Sequence, residues 1–233
     1  MDIRILHLME GAKEAQGLTV IIDVFRAFSL ECYLYAYGAK EVRPAGTIEE
    51  AFAWKEKDPA VVLIGERGGK KCEGFDFGNS PSQVLPEAVA GKRVIHTTSA
   101  GTQGVILAKN ATQILGAGLV NAAATAAYIQ KKHAETVSLV CMGNGGVRPA
   151  AEDELCALYI ESLLLGKKIP NLDERIRDLA VCGGEHFSDP HTQEIYPKED
   201  FDLCTMRDKF DTALLIRPDA DGFVTFKEEQ TVV

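Results

Sequence analysis

LTVIIDVFRAFSLECYLYAYGA, residues 18–39, passes from an unbroken Val- and Ile-rich run, through Asp23 and Arg26, into a pattern that reads as a helix. A continuous apolar run of this length reads as a strand buried on both faces, the habit of parallel strands covered by crossover helices. Similar successions follow. "EVRPA" and "AVVLIGE" (60–66) bracket the helix "TIEEAFAWKEK", and "RVIHTT" (93–98) leads into a helix from about Gly101 to Lys109. "QILGAG" precedes the helical "NAAATAAYIQKKH", and "VSLVCMG" (137–143) precedes "AEDELCALYIESLLLG", which Gly166 ends. Thr47 with Glu50 forms a capping box that starts the "TIEEAFAWKEK" helix. The alternation predicts an α/β fold. Beyond Pro170 the pattern weakens to a helix through "LDERIRDLAVCG", a polar stretch with Pro190 and Pro197, and a tail whose "ALLIRP" is expected to add an edge strand. No low-complexity linker interrupts the chain, so residues 1–233 are expected to form a single domain.

Composition narrows the classes of function. The chain has 233 residues, 46% of them hydrophobic, with a formal charge of −9 spread along its length. That balance argues against a nucleic-acid backbone or an anionic membrane as partner. No apolar run approaches the ~20 residues of a membrane span, and the start "MDIRILHLMEGAKEAQ" lacks signal-peptide features, so a cytoplasmic location is expected. Six cysteines without a C-x-x-C pair read as buried free thiols. The oligomeric state is left open, a homodimer included.

Chemistry-bearing residues gather just after the predicted strands, where ligands bind in open α/β sheets. They are Asp23 and Arg26, the loop "GERGGKKCEGFDFGNSP" (65–81), "HTTSAGT" (96–102), Asn121, and "GNGGVRPAAEDE" (143–154). Each has a plainer reading. Asp23 suits a helix cap, the glycine-rich loop suits a surface turn, and Glu152, Asp153 and Glu154 suit the positive end of a helix dipole. Several motifs fail on spacing. "GERGGKK" is one spacer short of a phosphate-binding loop and lacks its Ser/Thr, and "CMGNGGVR" separates Cys141 from Arg148 by one residue too many for a thiol phosphatase. "DVFRA" has Phe25 where an aspartyl-phosphate enzyme needs its second Asp, and His96, His133, His186 and His191 show no zinc-type pairing. What remains is a set of carboxylates suited to Mg2+, arginines suited to oxyanions, and hydroxyls, which together describe a site for a small, multiply anionic molecule.

Taken in order, "VIIDVFRAFS", "GERGGKKCEGFDFGNSP", "HTTSAGT", "GLVNAAATA" and "AAEDELCA" resemble the 2-phosphosulfolactate phosphatase family over residues 18–165, and "FDLCTMRDKFDTALLI" is similar to its ending. Phe28 and Cys32 stand where that family more often carries Thr and a small or β-branched residue. The resemblance implies a phosphoric monoester hydrolase using Mg2+ to convert 2-phospho-3-sulfolactate into 3-sulfolactate and phosphate, a step of coenzyme M biosynthesis. It also implies a three-layer α/β/α fold with a mixed, largely parallel sheet in a topology of the family's own. On this basis Asp23, Glu152 and Asp153 are expected to hold the metal, with Asp76 a further catalytic candidate. Arg26 and Arg67 are expected to hold phosphate and sulfonate. Thr98, Ser99 and the N–H groups near Gly101 are expected to cradle an anion at a helix N-terminus, while Asn79 and Asn121 orient oxygens. Two alternatives stay open: a phosphatase for another phosphorylated carboxylate or sugar phosphate, and a non-catalytic anion-binding module.

Overall fold

A computed structural model describes residues 1–230. Its strands are β1 (Asp2–His7), β2 (Gly17–Ile22), β3 (Glu41–Pro44), β4 (Val62–Arg67), β5 (Lys70–Lys71), β6 (Arg93–Thr97), β7 (Ala111–Ala117), β8 (Thr136–Cys141), β9 (Thr212–Asp219) and β10 (Gly222–Glu229). Its helices are α1 (Leu8–Glu14), α2 (Ala27–Ala36), α3 (Ile48–Lys57), α4 (Pro86–Val89), α5 (Gly101–Leu107), α6 (Ala122–Lys131), α7 (Ala151–Leu164), α8 (Leu172–Asp178) and α9 (Lys198–Thr205). The strands join in one mixed sheet of order β1-β8-β2-β7-β9-β10-β3-β6-β4-β5. Two parallel blocks, β1-β8-β2-β7 and β3-β6-β4, are linked by the antiparallel hairpin β9-β10.

Period-two alternation sorts each strand between two cores. Ile21, Ile114, Val140, Leu214 and Ile216 pack with α1, α2 and α5, whereas Val20, Ile22, Leu115, Leu139, Ala213 and Leu215 pack with α6, α7 and α8. Both faces are thus covered, giving the α/β/α layers expected from the sequence. A smaller cluster seats α3 on Leu63 and Ile95 through Ala51 and Trp54. Thr47 Oγ1 accepts the Glu50 N–H at 3.1 Å, and Glu50 reaches back to the N–H of Gly46 at 2.8 Å. All six cysteines are free, and five of them are buried.

Two strand assignments differ from the sequence reading. "ALLIRP" lies in β9 at the middle of the sheet, not at an edge, because Ala213, Leu214, Leu215 and Ile216 are buried by helices on both faces. The edges are β5 and β1, and the "DIRILH" of β1, in which no residue is fully buried, carries no strand signal that the sequence reading uses. Among the described residues, no helix is long and apolar enough to cross a membrane.

The two parallel blocks meet through helices. Almost the whole of α2 is buried, touching β3 in one block and β7 in the other, and α5 leaves β6 to pack on β2. Gly116 on β7 makes this possible, since a side chain there would collide with the ring of Phe28. The "HTTSAGT" loop after β6 is therefore carried to the end of β2, although four strands separate β2 from β6 in the sheet.

Candidate active site

The carboxyl ends of β2, β4, β6 and β8 open onto a cavity of about 480 Å³. Asp23 follows β2, Glu66 ends β4, Ser99 and Ala100 follow β6, Gly143 and Asn144 follow β8, and α7 contributes Glu152 and Asp153 from its first turn. The segment 182–196 forms the far wall through Gly183, His186 and Tyr196. Asp23 accepts the N–H groups of Ala27 at 3.2 Å and Gly101 at 2.8 Å, so one carboxylate ties α2 to α5. Asp153 accepts those of Val24 at 2.9 Å and Gly143 at 2.7 Å, which fixes α7 against the ends of β2 and β8. Glu152 is different: its Oε2 is buried and has no hydrogen-bond partner.

Charge is unbalanced here. Asp23, Glu66, Glu152 and Asp153 line the cavity, and among the described residues Arg26 is the only Lys or Arg side chain in its walls. Burial pushes the Asp23 carboxyl up to about 6, with Glu66 adding to the rise and the Ala27 and Gly101 N–H groups opposing it. Burial, together with Asp23 and Glu185, pushes Glu152 up to about 7. Asp153 is held well above the usual carboxylate range by burial and by the charges of Asp23 and Glu152.

Arg26 is almost fully buried, and three of its N–H groups are committed to protein oxygens. It donates to Ile195 O at 2.8 Å, Asp200 Oδ2 at 2.9 Å and Gly69 O at 3.3 Å, and its guanidinium lies 4.9 Å from the Tyr196 ring centroid. Asp200 is itself fully buried and accepts from Ser80 Oγ at 2.9 Å and Ser82 N at 3.0 Å. Arg26 thus fastens the 182–196 wall to the sheet. It borders the cavity, but as a structural tie more than as a free anion clamp.

Asn79 and Ser99 also reach the cavity, each anchored from behind. Asn79 Oδ1 sits 3.0 Å from His96 Nε2, while His96 Nδ1 lies 3.0 Å from Glu31 Oε1. Ser99 donates its N–H to Glu66 Oε1 at 2.6 Å and its hydroxyl to Glu66 Oε2 at 3.1 Å, and Gly69 N donates to that same Oε2 at 2.7 Å. A side chain at Gly69 would run into the Tyr196 hydroxyl, so the loop depends on glycine at this approach.

The remaining expected residues are not brought to the cavity. Arg67 turns away, donating to Glu66 O at 2.7 Å and Thr97 Oγ1 at 2.9 Å. Asp76 is a half-exposed brace that accepts Leu63 N at 2.8 Å and pairs with Lys55 at 3.5 Å. Asn121 is fully buried, bonded to Gly118, Gly116 and Thr212 backbone groups, and pins the β7 end to β9. Thr98 exchanges hydrogen bonds with Thr102. The anticipated anion cradle is already filled from within: Glu66 takes the Ser99 N–H, Thr98 Oγ1 that of Thr102, and Asp23 that of Gly101.

Glu66, His186, Tyr196 and Gly183 were missing from the expected set. Glu66 at a strand end carried the same positional signal as Asp23. The other three lie where no periodicity marks an element, so nothing local in the sequence pointed to them.

Whether a hard cation suits this site can be judged from the donors. Among the described residues, the one grouping of three metal-type side chains whose donor atoms lie within 4.8 Å of one another is His7, Cys141 and Glu154. The carboxylate oxygens of Asp23, Glu152 and Asp153 thus do not all come within that distance of one another. Mg2+ is bound by one or two carboxylates and completes its shell with water and substrate oxygens, so wider spacing is compatible with it. The orphaned Glu152 Oε2 and the mutual repulsion of three buried carboxyls fit a cation.

Comparison with known proteins adds a family-wide context. A family model described as 2-phosphosulpholactate phosphatase matches residues 4–217. A protein of Caldicellulosiruptor saccharolyticus named "Probable 2-phosphosulfolactate phosphatase" is 38% identical over 178 residues, covering 74% of this chain and 73% of its own. A Bacillus subtilis protein of the same name is 31% identical over 208 residues, covering 88% and 89%. One from Deinococcus radiodurans, again of that name, is 40% identical over 149 residues, covering 64% and 62%.

Proposed function

The chain belongs to the 2-phosphosulfolactate phosphatase family, and we propose that it hydrolyses 2-phospho-3-sulfolactate to 3-sulfolactate and phosphate with Mg2+ as cofactor. The observation that carries the reading is the cavity's charge. A wall of Asp23, Glu66, Glu152 and Asp153 facing a single arginine repels a substrate bearing phosphate, sulfonate and carboxylate unless a cation enters first. Hard carboxylate oxygens select Mg2+ for that role.

In this reading Asp23, Glu152 and Asp153 hold the ion. When bound, Mg2+ offsets charge on the phosphoryl group in transfer and lowers the pKa of water. Glu152 Oε2, free of protein donors, takes the proton of the attacking water. Arg26 offers substrate oxyanions the N–H groups left over from Ile195, Asp200 and Gly69. Asn79, steadied by His96, and Ser99, steadied by Glu66, orient substrate oxygens. His186, Tyr196 and Phe25 line the cavity, His186 packed edge-on against both other rings. Water attacks phosphorus, the bond between phosphorus and the ester oxygen breaks, and that oxygen receives the proton Glu152 took from the water, leaving as the hydroxyl of 3-sulfolactate. Phosphate release measured across a panel of phosphomonoesters tests this. With Mg2+ the sulfonate substrate is expected to exceed sugar phosphates in kcat/KM by at least about 10²-fold, and EDTA to abolish release. Equal rates across the panel would replace the sulfonate specificity with a general phosphatase.

A pH dependence follows from the raised carboxyls. Asp23 and Glu152 hold protons in the folded protein up to about 6 and 7, where the unfolded chain has already released them. Metal-free stability therefore falls as pH rises through the window from about 4 to 7. Glu66 and Glu185 reinforce the trend, while His96 opposes it at Asp23. The increase in Tm produced by Mg2+ is accordingly expected to be larger at pH 8 than at pH 5 by thermal melts. An increase independent of pH would place the ion away from these groups.

A further inference from the structure

Outside the cavity, His7, Cys141 and Glu154 bring an imidazole, a thiol and a carboxylate together, with donor atoms all within 4.8 Å of one another. We propose that these three side chains form a second metal site, selective for Zn2+ or a similar thiophilic divalent ion.

The backbone sets the site up. β1 and β8 are adjacent parallel strands, and His7 and Cys141 are paired in register as their last residues, so both side chains stand on one face at one sheet end. Glu154 comes down from the first turn of α7, whose position is set by Asp153 bonding to Val24 N and Gly143 N. His7 Nδ1 lies 2.8 Å from Glu154 Oε1. The sulfur is buried, whereas the side chains of His7 and Glu154 are 49% and 35% exposed, which leaves a route from solvent with the soft ligand at its base.

The donor set decides the ion. A thiolate and an imidazole discriminate against Mg2+ and suit Zn2+, which takes Cys, His and carboxylate ligands in tetrahedral sites with a fourth position for water. Ligand atoms around such an ion stand about 3.5 Å apart. The His7 and Glu154 side chains thus need to open by less than an ångström, which half-exposed side chains can do. Binding releases the Cys141 thiol proton to solvent, and His7 binds as the tautomer protonated on Nε2. No sequence motif announces this site, because Cys141 lies 134 positions after His7 and Glu154 a further 13 positions on. An ion here fastens the ends of β1 and β8 to the helix turn that carries Glu152 and Asp153, and so couples zinc occupancy to the geometry of the cavity.

The plainer alternative is a metal-free hydrogen-bonded trio in which thiol and imidazole share the Glu154 carboxylate. Titrating the reduced, metal-stripped full chain with Co2+ in excess Mg2+ separates the two. The proposal predicts a thiolate-to-Co2+ charge-transfer band in the near ultraviolet, saturating at one equivalent, with visible bands of a tetrahedral ion, both displaced by Zn2+. The band is expected to disappear in Cys141→Ser and in His7→Gln, the latter a partly exposed position where circular dichroism should stay unchanged. It is expected to persist in Cys182→Ser, which removes the one exposed thiol, a residue of the cavity wall. Absence of the band in the wild type, its survival in both His7→Gln and Cys141→Ser, or its loss in Cys182→Ser would each overturn the proposal.

Discussion

Glu152→Gln is expected to lower Mg2+-dependent phosphate release by on the order of 10²- to 10³-fold, while the metal-free protein becomes no less stable. The two effects have one cause. Glu152 is a buried carboxyl with one oxygen lacking any partner, facing the charges of Asp23 and Asp153. Its ionised form opposes folding when no cation is present, so a neutral amide of the same shape relieves repulsion at pH 8. The same change removes the proton acceptor and one of the groups assigned to Mg2+. Activity should therefore fall while the metal-free Tm at pH 8 holds or rises, and the Mg2+-induced rise in Tm should shrink. Asp23→Asn is expected to match the loss of activity but not the gain in stability, because Asp23 also accepts N–H groups of Ala27 and Gly101. Near-normal turnover in both variants would remove these carboxylates from the chemistry.

Arg26→Met carries the second large effect, on stability as well as rate. It leaves the fully buried Asp200 without its guanidinium, and stripping one partner from a buried ion pair costs about 3–5 kcal/mol. It also frees Ile195 O and the wall segment that holds His186 and Tyr196 against the cavity. Urea denaturation should show that loss of stability, accompanied by a rise in KM. The double variant Arg26→Met/Asp200→Asn removes the stranded charge and is expected to regain stability without regaining kcat/KM. Recovery of both would make Arg26 a structural tie alone.

Much of this could be read from single stretches of sequence, and the rest could not, for a physical reason. Asp23, Asn79, Ser99, Glu152 and Asp153 are legible because each lies in the segment that leaves the carboxyl end of a strand or opens the next helix, and a parallel sheet delivers those ends to one side. Asp200 was not found, since it meets Arg26 from 174 residues away and nothing in "YPKEDFDLC" distinguishes it from a surface acid. The hydroxyl-rich "HTTSAGT" suggested free donors for an anion. Its N–H groups are instead satisfied by Glu66, Asp23 and Thr98, two of which come from other strands. β9 looked like an edge strand because it follows an irregular segment, and only the helices covering both of its faces show it to be central. Local pattern reports what an element buries, whereas its neighbours across the chain decide where it lies.

The acid-lined cavity is expected to bind a divalent cation together with sulfolactate. A crystal structure of the protein with Mn2+ in place of Mg2+ and with sulfolactate, read by anomalous scattering, tests this most directly. A peak bounded by Asp23, Glu152 and Asp153, with the ligand's oxyanions facing Arg26, Asn79 and Ser99, is the predicted result. Metal and ligand placed instead at Arg67 or Asp76, outside the cavity, would contradict it.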